Sequence, residues 1–238
     1  MGEIKIKDKE VTVPGEVLAV GMDYLPAGGA FRDKEEIIAS QVGIVNISGR
    51  LIKLVSLNTR YMPKKGDRII GKVADIGPNA WYVDFGFYNQ GAIALADGSL
   101  EYIPRGADLS QYYAVGDYVV AIVVFVTRDN HVNLSLKGPG LRKLSEGRII
   151  KINPAKVPRV IGKEASMITM VKNMTECRVI VGQNGWVWIS GLDLVKESIA
   201  IEAINLIDTR AHIQGLTDEV KNFLEKKLGG KSGVQQEN

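Results

Sequence analysis

The stretch Gly-Asp-Arg-Ile-Ile-Gly-Lys-Val-Ala-Asp-Ile-Gly-Pro, residues 66–78, decides how the middle of this chain is organised. Turn-forming residues at each end enclose a run rich in β-branched side chains, which predicts a strand over Arg68–Ile76. The next run, Ala80–Phe85, alternates apolar and polar side chains, which is typical of a strand with one face in water. Trp81 and Tyr82 then point to opposite faces, and we expect Trp81 in the core.

Three further β-type runs follow within the same region, at residues 91–95, 115–126 and 131–137, and a long loop holds Tyr102. The pattern contains no helix of note. Five strands in roughly seventy-five residues match the size of a five-stranded OB barrel. We therefore place a barrel domain at residues 64–138.

The segment before the barrel, residues 1–63, reads as a small all-β unit. Its β-type runs at 17–20, 43–47 and 51–55 are separated by glycine- and proline-containing turns. A unit of this size can barely bury a core alone, so we expect it to pack on another partner.

The remaining segment, residues 139–238, starts after a glycine- and proline-rich breaker. It shows a strand at 147–152, helical spacing over 157–172 interrupted at Gly162, two β runs and a long helix, and then a short amphipathic helix for which Thr217 is the expected cap. The β runs, 178–181 and 186–190, are joined by Gly-Gln-Asn-Gly. Asn-Gly predicts a two-residue hairpin turn, because both positions tolerate positive φ.

Composition excludes several classes of protein. No run of about eighteen apolar residues exists to span a membrane, and the first residues lack the features of a signal peptide, so we expect a cytoplasmic protein without membrane contact. The single cysteine, Cys177, excludes an internal disulfide framework, and we expect it to be a small buried strand residue.

The sequence contains few residues of the types that usually form catalytic or metal sites. The two histidines, His131 and His212, fall in different predicted domains, and no Cys, Asp or Glu cluster has metal-ligand spacing. We predict that the chain is not an enzyme and uses no cofactor or metal.

The net positive charge of the chain is small, but basic residues are clustered in one stretch. The net charge is +3, yet the stretch 142–178 carries nine basic and three acidic residues. This local excess is a candidate phosphate-binding face, although an ordinary solvated surface explains it equally well.

The barrel region resembles the S1 RNA-binding domain through Gly-Asp-x-x-x-Gly-x-Val-x-x-Ile-Gly-Pro at 66–78, Val-Gly-Asp-x-Val at 115–119 and Val-Asn-Leu-Ser-Leu-Lys at 132–137. The resemblance implies single-stranded RNA as partner, with bases stacked on aromatic side chains and phosphates paired with basic ones. It places Tyr82 as a stacking aromatic and His131 as a basic contact. Asn79 and Ala94 stand where the family has a second aromatic and a histidine, so loops are expected to contribute. The candidate loop residues are Lys64, Lys65, Arg68, Arg105 and Arg128, which ordinary solvation explains equally well.

The order of elements after residue 139 resembles a KH domain, an α/β fold with three strands and three helices. In that family a Gly-x-x-Gly loop lets the nucleic-acid backbone approach a helix. Here the loop reads Gly162-Lys163-Glu164-Ala165, so the second glycine is missing. Arg159, Gly162 and Lys163 are the RNA-binding candidates of this domain.

Taken over its length, the chain resembles the S1-KH cap subunits of the RNA exosome, in their archaeal form. The resemblance rests on Gly-x-Asn-Gly at 182–185, Val-Pro-Gly-Glu at 13–16 and Tyr-Met-Pro at 61–63. It implies a non-catalytic subunit that forms a trimeric cap on a hexameric ring of phosphorolytic 3′–5′ exoribonuclease subunits. The barrels would thread single-stranded RNA into the ring for degradation and processing, and the N-terminal unit would anchor the cap. The alternative is an S1-KH translation or transcription factor that acts alone.

Overall fold

The computed structural model describes residues 2–56, 60–104, 106–211, 213 and 215–229. The predicted site residue Arg105, the second histidine His212 and the tail after Gly229 lie outside the described residues. The chain divides into two compact units, Met1–Thr59 and Arg60–Asn238, and each is described by itself.

The described part of the first unit contains eight strands in two sheets. They are β1 (Glu3–Ile4), β2 (Val11–Thr12), β3 (Val17–Val20), β4 (Leu25–Ala27), β5 (Ala30–Asp33), β6 (Glu36–Ala39), β7 (Gly43–Ser48) and β8 (Leu51–Ser56). One sheet has the order β1-β3-β6-β5 and the other β2-β7-β8-β4. Leu18 and Ile37 from the first sheet pack with Val45 and Ile52 from the second in one core. The strands that were predicted are β3, β7 and β8. Each of the other strands spans two to four residues, which is too short to show an alternation of apolar and polar side chains in the sequence.

The second unit begins with a closed five-stranded barrel, as predicted. Its strands are β9 (Arg68–Ile76), β10 (Ala80–Asp84), β11 (Gly91–Ala94), β12 (Tyr118–Val126) and β13 (Val132–Ser135). The barrel closes because β12 pairs with both β9 and β13. Trp81 is fully buried in its core, where the indole Nε1 donates a hydrogen bond to the carbonyl of Leu109 at 3.1 Å. The prediction of a core role for Trp81 is therefore confirmed. A short helix, α1 (Leu95–Gly98), follows β11 and was not predicted.

A KH-type α/β fold completes this unit, again as predicted. After β14 (Arg142–Lys143), which adds to β12, its elements are β15 (Arg148–Lys151), α2 (Val157–Ile161), α3 (Ser166–Thr175), β16 (Arg178–Val181), β17 (Trp186–Ser190), α4 (Leu194–Thr209) and α5 (Leu216–Gly229). The sheet order is β15-β17-β16. Val160, Val171 and Ile204 pack in the core between its helices and its sheet. Thr217 lies inside α5, so its prediction as the helix cap is wrong.

The barrel and the KH fold share a buried apolar joint. Trp186 and Trp188, on the face of the KH sheet away from its core, pack with Ile70, Val120 and Leu144. The hairpin between β16 and β17 reaches into this joint and does not have the predicted two-residue turn. The amide of Gly182 donates to the carbonyl of Trp186 at 2.8 Å, which leaves three residues in the loop.

Only the last of these loop residues, Gly185, has positive φ, at 80°. A Cβ there would lie 2.3 Å from the carbonyl oxygen of Ile152. Asn184 does not have the positive φ that the predicted turn requires. Its side chain is buried.

Candidate nucleic-acid interface

One row of side chains crosses the outer surface of the barrel. Tyr82 on β10 is paired with Ala92 on β11, Ala92 with Asn133 on β13, and Asn133 with Phe125 on β12. Residues paired across strands point to the same face. We call these four residues the outer row. Its two aromatic members are solvent-exposed, Tyr82 at 37% and Phe125 at 54%.

Phe125 reaches the surface because β12 contains a bulge. Val123 is opposite Leu134 and Phe125 is opposite Asn133, so Val124 is an extra residue between them. An extra residue in one strand shifts the alternation of inward and outward side chains. Sequence reasoning missed Phe125, since the run over β12 is apolar throughout and its alternation cannot be read.

Basic side chains flank the end of the outer row that carries Phe125. Arg128 and His131 are exposed in the turn between β12 and β13. This turn is closed by a hydrogen bond of 2.9 Å from the Thr127 amide to the His131 carbonyl, and a second one runs from the His131 amide to the Thr127 hydroxyl oxygen. The structure therefore brings two predicted basic residues next to an exposed aromatic ring.

Lys64 and Lys65 lie close to β12, the strand that carries Phe125. Both are exposed in the turn before β9, and the amide of Gly66 in this turn donates to the carbonyl of Val123 at 2.8 Å. The turn is braced by Asp67, whose carboxylate accepts hydrogen bonds from the Tyr61 hydroxyl at 2.7 Å and from the Lys64 amide at 3.0 Å. Burial and the hydrogen bond to this carboxylate raise the pKa of Tyr61.

Two of the predicted RNA-contacting residues, Arg68 and Arg159, form hydrogen bonds within the protein. The Arg68 guanidinium donates to the carbonyl of Pro139 at 3.0 Å, in the linker that leads to the KH fold. Arg159 donates to the carbonyls of Ala211 at 2.8 Å and Ile213 at 3.2 Å, between α4 and α5. Both side chains remain accessible but have structural partners.

The loop between α2 and α3 keeps a turned backbone without its second glycine. Gly162 has φ of 77°, and Glu164 and Ala165 are both left-handed at 53° and 61°. Ala165 thus takes a conformation that usually favours glycine. Lys163 is exposed, whereas a Cβ on Gly162 would lie 2.7 Å from the Cβ of Met167. The predicted loop residues are therefore placed on one tight turn, away from the outer row in sequence and in domain.

The described ranges hold neither a metal-binding cluster nor a membrane-spanning helix. Within them, no three His, Cys, Asp or Glu side chains are grouped so that they could hold a metal ion. No helix among the described residues has the length and apolar character needed to cross a membrane. Cys177 is buried just before β16, and burial raises its pKa.

Comparisons with known proteins agree with this architecture. A family model described as KH domain matches residues 147–194. The exosome complex component Rrp4 of Pyrococcus abyssi is 39% identical over 231 residues, covering 96% of this chain and 87% of the relative. Rrp4 of Methanothermus fervidus is 38% identical over 224 residues, covering 94% and 98%. A crystal structure described as an exosome complex RNA-binding protein is 34% identical, with a TM-score of 0.64, over 71% of this chain and 97% of that one.

Proposed function

Because the chain belongs to the Rrp4 family of exosome complex components, we propose that it is a non-catalytic, RNA-binding cap subunit of an exosome. In this role it captures single-stranded RNA and threads it into a hexameric ring of phosphorolytic 3′–5′ exoribonuclease subunits, for RNA degradation and processing. The observation that carries the RNA-binding part is the outer row, with its exposed aromatic rings and basic flanks.

The chemistry of the outer row suits single-stranded RNA. Tyr82 and Phe125 offer ring faces on which bases can stack, and the small residues between them leave the surface open. The barrel is closed and three strand spacings lie between β10 and β12 on this side, so the two rings face different directions and each offers its own stacking surface. The proposed contacts over the whole chain are Lys64, Lys65, Arg68, Tyr82, Arg105, Arg128, His131, Arg159, Gly162 and Lys163, to which we add Phe125.

Fluorescence anisotropy with a labelled single-stranded RNA tests this proposal. Replacing Tyr82 or Phe125 by Ala should weaken binding by about 1 to 3 kcal/mol each, the usual contribution of one stacked base. Val124→Ala is the matched control, because Val124 is exposed beside Phe125 but lies outside the row. Affinity should also fall as salt is raised, since phosphate contacts release counterions. Unchanged binding in both aromatic variants would refute the outer row as the RNA surface.

The N-terminal unit is proposed to anchor the cap to the ring. Val11, Ile44 and Val55 are cross-strand partners on one face of the second sheet, and Leu25 and Leu51 are partners on the same sheet. All but Ile44 are exposed. A row of exposed apolar side chains on a sheet face is typical of a protein interface.

A trimeric cap would strengthen RNA capture. Three modest sites around one pore act on the same RNA strand, so that their combined avidity exceeds the affinity of one copy. We propose that the lone chain binds RNA weakly and that the assembled cap binds it well. The KH loop would add a second contact through Lys163, and the complex would act in the cytoplasm.

The proposal that phosphorolysis is carried out by the ring subunits, and not by this chain, can be tested separately. The purified chain, incubated with RNA and inorganic phosphate, should release no nucleoside diphosphate, whereas the chain mixed with ring subunits should. Release by the chain alone would overturn the non-catalytic assignment. Failure to co-elute with ring subunits would favour a factor that acts alone.

A further inference from the structure

Two turns of the barrel have the same construction. The first, Lys64–Asp67, leads into β9, and the second, Ala114–Asp117, leads into β12. In each turn the amide of the last residue donates to the carbonyl of the first, at 3.0 Å and 3.1 Å. The third residue is a glycine with positive φ, 92° for Gly66 and 101° for Gly116, which makes both turns type II. The aspartate carboxylate accepts a further hydrogen bond from the amide of the first residue, at 3.0 Å and 2.8 Å.

Each turn is joined to the neighbouring strand by the same hydrogen bond. The amide of Gly66 donates to the carbonyl of Val123 on β12 at 2.8 Å. The amide of Gly116 donates to the carbonyl of Val73 on β9, also at 2.8 Å. Since β9 and β12 are antiparallel, the two turns close the two ends of one strand pair. What the turns share is therefore structural, and what differs between them needs another explanation.

The first difference is in the side chains at the start of each turn. Lys64 and Lys65 are both exposed, and neither makes a side-chain hydrogen bond or an ion pair within the part of the chain that the structure describes. The corresponding residues of the second turn are Ala114 and Val115, which carry no charge. The type II turn thus forms without lysines, so the turn itself does not require the two ammonium groups.

The second difference is in the donor that completes the aspartate carboxylate. Asp117 pairs with the ammonium group of Lys143, whereas Asp67 accepts from the hydroxyl of Tyr61 at 2.7 Å. Tyr61 is buried, and its ring packs edge-on against Phe85 with 6.1 Å between the ring centroids. The barrel core therefore fixes this hydroxyl. A neutral donor satisfies the carboxylate of the first turn, and both lysine ammonium groups remain unpaired.

We propose that Lys64 and Lys65 bind phosphates of the RNA, and that Tyr61, acting through Asp67, is the positioning residue that keeps both ammonium groups available. Without the phenol hydroxyl, the carboxylate would attract the nearest lysine ammonium group, and that group would be lost to phosphate. The turn is also fixed before RNA arrives, which lowers the entropy lost on binding. This inference rests on the proposed function, since it takes RNA as the ligand, and it assigns a role to a residue that does not touch RNA.

The test measures the affinity of the full chain for labelled oligo(U) by anisotropy at several salt concentrations. Changing both lysines to Met keeps the side-chain length without the charge. This Lys64→Met/Lys65→Met variant should reduce the slope of log affinity against log salt by about 1.4, which is about 0.7 for each lost phosphate contact with a single strand. Tyr61→Phe should reduce the slope by about 0.7, because the freed carboxylate oxygen captures one ammonium group.

The combined variant distinguishes positioning from support of the fold. Tyr61→Phe should have no further effect on RNA binding in the Lys64→Met/Lys65→Met chain, since no ammonium group is left to position. Tyr113→Phe is the matched control, because the half-buried Tyr113 donates to the carbonyl of Gly98 at 2.8 Å in the same barrel. It loses a similar hydrogen bond and should keep the wild-type slope. Urea unfolding of each variant verifies that it is folded under the binding conditions.

The outcomes separate this inference from the proposed function. If Lys64→Met/Lys65→Met keeps the wild-type slope while Tyr82→Ala and Phe125→Ala bind weakly, the lysines are not phosphate contacts and the proposed function stands. If Tyr61→Phe keeps the wild-type slope, or weakens binding equally with and without the lysines, its positioning role is wrong. If the wild type binds no RNA, alone or with ring subunits, the proposed function fails and this inference fails with it.

Discussion

The side chain of Asn184 forms two hydrogen bonds with the main chain of Ile70, 114 residues earlier in the sequence. Its Oδ1 accepts from the Ile70 amide at 3.2 Å, and its Nδ2 donates to the Ile70 carbonyl at 2.7 Å. The same Nδ2 donates to the carbonyl of Phe85 at 2.8 Å. Asn184 is buried, so this amide ties the KH hairpin to β9 and to the residue that follows β10 without competition from water.

Replacing Asn184 by Ala should lower the free energy of unfolding by about 2 to 4 kcal/mol. Three buried main-chain groups would lose their partner, and each such loss costs about 1 kcal/mol or more. Denaturant unfolding followed by tryptophan fluorescence measures this directly, because Trp186 and Trp188 lie in the same joint. Gln183→Ala is the control, since the exposed Gln183 contributes its main-chain amide to the joint. Equal stability of the two variants would contradict the assigned role.

The role of Asn184 shows what local pattern can predict. The strands that flank it, β16 and β17, have the predicted bounds because alternation and turn residues are local signals. The same local reasoning treated Asn184 as a turn former. Its actual partners are distant in sequence, and a hydrogen bond between domains leaves no periodic signal.

The candidate interface was predictable in part for a similar reason. Tyr82 lies on a strand whose alternation is clear, and its exposure follows from the pattern. Phe125 depends on a bulge that an apolar run conceals. Arg159 looked free in the sequence, yet it bonds to carbonyls at the end of α4, which only the folded chain brings near. Loop contacts of this kind require tertiary structure.

Replacing Ala165 by Gly should stabilise the KH fold. Ala165 has φ of 61°, a left-handed conformation that costs a residue with a Cβ about 1 to 2 kcal/mol. Glycine relieves this strain and loses part of the gain to its greater freedom in the unfolded chain, which leaves a net of up to about 1 kcal/mol. Thermal unfolding measures the change. Ala155→Gly, at a residue without positive φ, should instead destabilise. A lower melting temperature for Ala165→Gly would show that the strain is not relieved.

Stability should decline in alkaline solution through Tyr61. Burial raises its pKa above the ordinary value of about 10, so the folded chain keeps the phenol proton to higher pH than the unfolded chain does. The stabilisation is fully present below about pH 10 and is lost as pH rises further, by up to about 1.4 kcal/mol per pH unit. Urea unfolding between pH 8 and pH 11 measures the slope. Tyr61→Phe should reduce the slope, leaving the part that comes from Tyr113, whose pKa is also raised by burial, whereas the exposed Tyr88→Phe should not change it. The same slope in both variants would exclude Tyr61 as the source.

Substitutions of Arg159 and Lys163 should affect different properties of the KH fold, stability in the first case and RNA binding in the second. Arg159→Ala should lower the free energy of unfolding by about 1 kcal/mol, because the carbonyls of Ala211 and Ile213 lose their donor. Lys163→Ala should leave stability unchanged and weaken RNA binding at low salt, since this side chain is exposed. Thermal unfolding and anisotropy are measured on both. If Arg159→Ala is as stable as the wild type, its hydrogen bonds do not support the fold.

Val55→Glu should prevent the chain from joining the ring while leaving its own fold intact. Val55 is 48% exposed, so a carboxylate is well solvated in the free chain, but it would be buried without a partner if this sheet face packs against ring subunits. Size-exclusion chromatography of the chain mixed with ring subunits should show loss of co-elution. Phe31→Glu tests the specificity, because Phe31 is similarly exposed but belongs to the other sheet, and this variant should still co-elute. RNA binding by the free Val55→Glu chain should match the wild type, since the barrel is unchanged. Normal assembly of Val55→Glu together with failure of Phe31→Glu would move the anchoring surface to the sheet β1-β3-β6-β5.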